Sequence, residues 1–156
     1  MSRRLREELK MTKPFASLEE EVYLEIRRTS EVVARWAVET LKPSRLTPSQ
    51  FNVLRILRGA RPASMSSREI SERMVTHDSD LTRLLDRLEG SGWISKSRDE
   101  RDRRVVNVRI TNAGLKVVEE ASSAVRARLQ STLGPLGPRK LGTLADLLER
   151  VRQAGG

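Results

Sequence analysis

Residues 98–104 of this chain, RDERDRR, are charged without exception: four arginines interleaved with three carboxylates. A guanidinium presents its donors in a planar fork that matches carboxylate, phosphate and purine edges in pairs of bonds. Just upstream lies a second stretch with chemistry in it. Leu81, Leu84, Leu85 and Leu88 recur at i, i+3, i+4 and i+7, which is one buried stripe on a helix over residues 79–89. Opposite the stripe fall Ser79, Thr82, Arg83 and Asp86, with Asp80 and Arg87 on its shoulder. Hydroxyls and guanidinia on the exposed face of such a helix can reach base edges in a DNA major groove.

Other chemistries lack their residues. With no cysteine, the chain has no thiolate ligand, disulfide or cysteine nucleophile. His77 is the only histidine and is read as a turn residue, since no partner for metal binding or base catalysis accompanies it. No nucleophile–base pair and no phosphate loop is visible, so neither an enzyme nor a cofactor is expected. The 156 residues carry a formal net charge of +9, which favours a polyanionic partner. No apolar run is long enough to span a membrane and the N-terminus lacks a signal-peptide core, so the expected location is the cytoplasm.

The elements that must position these residues can be read in order. Residues 1–13 form a basic arm, mobile or a short helix with Leu5 and Leu9 on one side. A long helix is expected over 14–41, with Pro14 in its first turn. Its apolar residues lie on more than one face (Leu18, Val22, Leu24, Ile26, Val33, Trp36, Leu41), more than one small domain easily covers. Thr47-Pro48-Ser49-Gln50 opens a helix with a capping box, and Gly59 is its expected C-terminal cap. Ser66-Ser67-Arg68-Glu69 repeats the box before a two-turn helix. Asp78, or else His77, is the expected cap of the leucine-striped helix, which Gly90 and Gly92 stop. Strands then begin at Trp93-Ile94 and at Val106, the second alternating as a half-buried strand. Together they form a hairpin with the arginine stretch at its tip. Thr111 caps a helix over 113–133, in which Gly114 lowers helix propensity. GPLGP at 134–138 breaks the chain before a last helix striped by Leu141, Leu144, Leu148 and Val151.

These residues resemble one family. LTRLLDRLEGSGWI followed by RDERDRRVVNVRIT is similar to the recognition helix, glycine turn and D-R-R wing of the MarR family of bacterial transcription regulators. LTPSQFNVLRIL at 46–57 resembles the family's second helix. The resemblance implies a mainly α chain with a small β-hairpin (α+β). That is a winged helix-turn-helix lobe over 44–111 between dimerisation helices at 14–43 and 112–156, all within a single unit over 14–156. It implies that the helix at 79–89 enters the major groove of double-stranded DNA. It places Arg104 in the minor groove, with Asp102 holding it and Arg101 and Arg103 at phosphates. The carboxylates of Asp78 and Asp80 depart from the hydroxyl or basic residues that members often carry there.

The expected function is therefore a homodimeric, sequence-specific transcription regulator, a repressor released by a small aromatic acid or phenol. Its operator would be pseudo-palindromic. The DNA-reading set is Ser79, Asp80, Thr82, Arg83 and Arg87 on the helix and Arg101, Asp102, Arg103 and Arg104 on the wing. Asp80 could be structural or accept from a cytosine amino group. Ser66, Ser67 and Arg68 could meet phosphate at a helix start, and capping explains the two serines equally well. Arg35 beside Trp36 is the candidate effector pocket, against the plainer reading of a core tryptophan with an exposed arginine. The competing function is a non-specific architectural DNA-coating protein, and a third is a wing that contacts only protein.

Overall fold

A computed structural model describes residues 3–76, 80–99 and 102–155. The chain divides into two compact units, residues 1–39 and 40–156.

The first unit holds α1 (Arg3–Glu8) and most of α2 (Leu18–Leu41). The short helix allowed by Leu5 and Leu9 is present, with Leu5 buried. The long helix begins four residues later than Pro14 suggests. Ser17 supplies the reason: its Oγ accepts from the Glu20 amide at 3.2 Å, while the Glu20 carboxylate accepts from the Ala16 amide. A side-chain acceptor for a first-turn amide fixes a helix start more firmly than a nearby proline. The Ser17 hydroxyl also bonds Glu19 and lowers its carboxyl pKa. Leu18, Val22, Tyr23 and Val33 on α2 are exposed, as its many-sided apolar pattern anticipates.

The second unit begins with the end of α2 and a single 3₁₀ turn at Lys42–Ser44. α3 (Pro48–Ala60) follows, with the capping box complete between Thr47 and Gln50. Gly59 is not its cap. The helix continues to Ala60 and is closed by the Arg61 amide on the Arg58 carbonyl. β1 (Met65–Ser66) precedes α4 (Ser67–Arg73), then come α5 (Leu81–Gly90), β2 (Ile94–Arg98) and β3 (Val106–Ile110). α6 (Asn112–Leu133), a 3₁₀ turn at Gly134–Leu136 and α7 (Gly137–Ala154) complete the chain.

The hairpin β2–β3 pairs Ile94 with Ile110 and Arg98 with Val106. A third strand joins it, for β1 pairs with β3 through Met65↔Val108 in the order β1-β3-β2. Two residues are too few to show the alternation by which a strand is recognised, so the sequence gives no sign of it. The core gathers Val53, Leu54 and Leu57 of α3, Ile70 of α4 and Leu84, Leu85 and Leu88 of α5. Met65 of β1, Ile94 of β2, Val108 and Ile110 of β3 and Val118 and Ala121 of α6 join it, with Leu41 and Leu46 beside them. Burying such a side chain contributes roughly 1.5–3 kcal/mol, so one core holds α3–α6 and the sheet together.

Candidate nucleic-acid interface

The leucine stripe of α5 faces the core as its spacing predicts: Leu84, Leu85 and Leu88 are buried and Leu81 half-buried. Thr82, Arg83, Asp86 and Arg87 are exposed. The helix starts at Leu81 rather than Ser79, and its cap is Asp80 rather than Asp78. Asp80 has non-helical backbone angles (φ −132°, ψ 50°), and its Oδ1 accepts from the Arg83 amide at 3.3 Å. The other oxygen, Oδ2, lies 3.2 Å from Arg83 Nε. The same carboxylate thus caps the helix and tethers the arginine expected to read bases. His77, Asp78 and Ser79 lie outside the described residues.

α4 starts on Ser66, whose capping box with Glu69 is complete. Ser66 Oγ accepts from the Glu69 amide at 3.2 Å and donates to Glu69 Oε2 at 2.8 Å. The Ser66 amide and hydroxyl, both donating to the Glu69 carboxylate, hold its pKa below the usual carboxylate range. The one proton of that hydroxyl is engaged within the helix start. Ser67 is half-buried, and exposed Arg68 pairs with Glu72 at 3.0 Å.

At the hairpin tip Asp99 and Asp102 each hold a backbone amide. Asp102 Oδ1 accepts from the Arg104 amide at 3.0 Å, and the Asp102 amide donates to Asp99 Oδ1 at 3.1 Å. Asp99 Oδ2 takes a further bond from Asn107 Nδ2 at 3.1 Å, and Arg98 Nη1 donates to the Arg103 carbonyl at 2.9 Å. Asp102 therefore sets the turn that carries Arg104 rather than gripping its guanidinium. Arg103 and Arg104 are exposed and have no ion-pair partner among the described residues. With Asp99 and Asp102 each accepting from a backbone amide, the exposed guanidinia of Arg103 and Arg104 are available to an outside anion. Arg101 lies outside the described residues.

Two features of this half of the molecule escape a reading by local pattern. The first is the joint between the end of α5, the wing and α6. Gly92, at φ +71°, turns the chain out of α5. Its carbonyl accepts from Thr111 Oγ1 at 2.7 Å, and the Thr111 amide donates to the Trp93 carbonyl at 3.0 Å. Thr111 also caps α6 by accepting from the Gly114 amide at 3.0 Å. A Cβ on Gly114 would meet the Trp93 oxygen at 2.1 Å, so this glycine permits the close approach. The second is Lys96 on β2, bonded through its ammonium to Asp86 and Glu89 of α5. Those bonds, to Asp86 first and Glu89 second, raise the lysine pKa.

In the first unit, Trp36 lines an open cavity of about 270 Å³ together with Leu5, Glu8, Glu25, Arg28, Thr29 and Val32. Arg35 is exposed and is not part of that lining; the guanidinium there is Arg28, which pairs with Glu8 at 3.4 Å. No cluster of potential metal ligands occurs among the described residues. No helix among them is long and apolar enough to cross a membrane.

Comparison with known proteins places this architecture. The MarR family model matches residues 46–106. The multiple antibiotic resistance protein MarR of Escherichia coli is 32% identical over 114 residues, 72% of this chain and 78% of that protein. The crystal structure of a mutant of that protein complexed with operator DNA matches with a TM-score of 0.74 and 29% identity, covering 87% of this chain and 99% of that one. The structure of Bordetella bronchiseptica BpsR, described as regulated in DNA binding by 6-hydroxynicotinic acid, matches with a TM-score of 0.74. It is 27% identical, covering 85% of this chain and 98% of that one.

Proposed function

We propose, for a chain that belongs to the MarR family and is thus a transcriptional regulator, a homodimer that reads a pseudo-palindromic operator and is released from it by a small ligand. Each copy presents α5 to a major groove and the hairpin tip to the adjoining minor groove. One observation carries this reading. Within a single compact unit, α5 turns its leucines inward and Thr82, Arg83 and Arg87 outward, while Asp99 and Asp102 at the tip accept from main-chain amides and Arg103 and Arg104 are exposed.

Each residue then has a task. Thr82, Arg83 and Arg87 face base edges, and Arg83 must exchange its Asp80 partner for a base or phosphate. An exposed pair of this kind is worth about 0–1 kcal/mol, so the exchange is cheap. Ser79 belongs to the same set by position. Asp80 is the cap. Arg104 enters the narrow, electronegative minor groove, and Arg101 and Arg103 neutralise phosphates. Arg68 meets phosphate near the α4 start, with Ser66 and Ser67 acting as helix-start residues.

Repression relieved by a ligand is a population shift: a compound that binds better to a dimer with misplaced recognition helices lowers operator affinity. The operator-bound E. coli relative and the BpsR relative regulated by 6-hydroxynicotinic acid support both halves of the reading. An aromatic acid suits a site with an indole and a guanidinium. Trp36 and Arg28 line such a cavity, and the exposed Arg35 lies next to Trp36 in the chain.

The rival is a protein that coats DNA without sequence preference, which net charge alone would allow. Competition at fixed salt between a selected site and random-sequence DNA separates the two. A regulator prefers its site by about 10³ or more. Equal affinity for both would leave only the coating protein. Repeating the competition with a panel of aromatic acids and phenols tests release.

A further inference from the structure

Lys96 stands on the first wing strand, yet it faces the recognition helix. Its ammonium donates to Asp86 Oδ1 and lies 2.9 Å from Glu89 Oε2, while its backbone N–H donates to Glu89 Oε1 at 3.0 Å. The lysine side chain is 21% exposed, against 57% and 40% for the two acids. Three polar contacts therefore tie β2 to the last two turns of α5.

This arrangement is costly for a protein that binds a polyanion. Two carboxylates against one ammonium leave a net negative cluster beside surfaces meant for phosphate, where a free lysine would serve better. Stability is a weak reason to keep it, because partly exposed ion pairs contribute about 0–1 kcal/mol each. Geometry is a stronger one. The wing is a pair of five-residue strands; β1 and the core residues Ile94, Val108 and Ile110 hold its base, and on the β2 side Lys96 adds a polar tie to α5 that a small hairpin does not supply by itself. A helix and a finger that grip one duplex together gain from a fixed mutual angle, since the second contact then needs no further ordering.

We propose that Lys96 is a positioning residue: clamped by Asp86 and Glu89, it sets the angle between α5 and the wing so that both engage the same DNA. The proposal rests on the DNA-reading function above. It assigns Asp86 and Glu89 to the wing rather than to bases, and it takes Lys96 away from phosphate. The raised pKa of the lysine fits an ammonium held in its charged form.

The test turns on a sign. Selected operator DNA is titrated with the full-length protein, with D86N/E89Q, with K96M and with K96R, and each is also melted in urea. If Lys96 met phosphate and the acids were ordinary surface charge, D86N/E89Q would bind DNA more tightly. The positioning role predicts the opposite, with D86N/E89Q and K96M each weakening operator binding about tenfold and K96R restoring most of it. It further predicts that R104A costs much less in the K96M background than in the wild type, because the finger it belongs to is already misplaced. Unchanged or tighter binding by D86N/E89Q, or additive losses for K96M and R104A, would overturn it. Should the wild-type protein show no sequence preference, the underlying DNA reading falls first, and that outcome is seen before any variant is compared.

Discussion

At Arg104 the backbone amide is fixed by Asp102 at 3.0 Å while the side chain remains exposed. A guanidinium on a pinned turn loses little freedom when it enters a groove. Arg104→Ala should weaken operator binding and reduce the slope of log affinity against log salt by about one. Gel-shift titrations at several salt concentrations measure both, and an unaltered affinity and slope would contradict the assignment. Gly114 makes a different demand. Its place in the first turn of α6 reads in the sequence as a mere weakness in a helix, because the Trp93 carbonyl it approaches is brought there only by tertiary structure. Gly114→Ala must push that carbonyl or the helix aside and should cost about 1–3 kcal/mol in urea unfolding. A loss within a few tenths would mean that the joint yields freely. The cap of α5 was ambiguous for a related reason. Asp78, the expected cap, and Asp80, the observed one, are the same capping type two residues apart, and local spacing cannot choose between them.

The elements themselves were legible wherever their signals are local. Thr47 with Gln50 and Ser66 with Glu69 announce two helix starts, and both boxes are formed. The leucine stripe of α5 and the alternation of β3 fix which faces turn inward. What stayed hidden depends on partners distant in sequence: β1, which pairs with β3 across more than forty residues, and the Lys96 clamp between β2 and α5. The clamp has a consequence in alkali. A lysine whose pKa is raised on folding adds stability that is complete below its unfolded pKa of about 10.4 and is lost as pH rises through the higher folded value. The stability difference between wild type and K96M should therefore hold steady at neutral pH and shrink above about pH 10. A difference independent of pH across that range would show that the ammonium contributes nothing to the tie between helix and strand.

Across the molecule, apolar surface is left over. Leu129 of α6 and Leu144, Leu147 and Val151 of α7 are exposed, and so are Leu18, Val22 and Val33 of α2. Scattered single apolar residues are ordinary, but a run of them along one helix face, as on α7, is the kind of surface that association covers. Sedimentation should find a dimer at micromolar concentration, shifted toward monomer by Leu144→Glu with Val151→Glu. A wild-type monomer would contradict the assembly. Two copies related by a two-fold axis would set their recognition helices one helical turn of DNA apart. Selection of bound sites from random double-stranded DNA tests that claim most directly. A two-fold dimer predicts an enriched inverted repeat whose half-site centres lie about 10–10.5 bp apart. Enrichment of a single unrepeated half-site, or of no sequence at all, would contradict it.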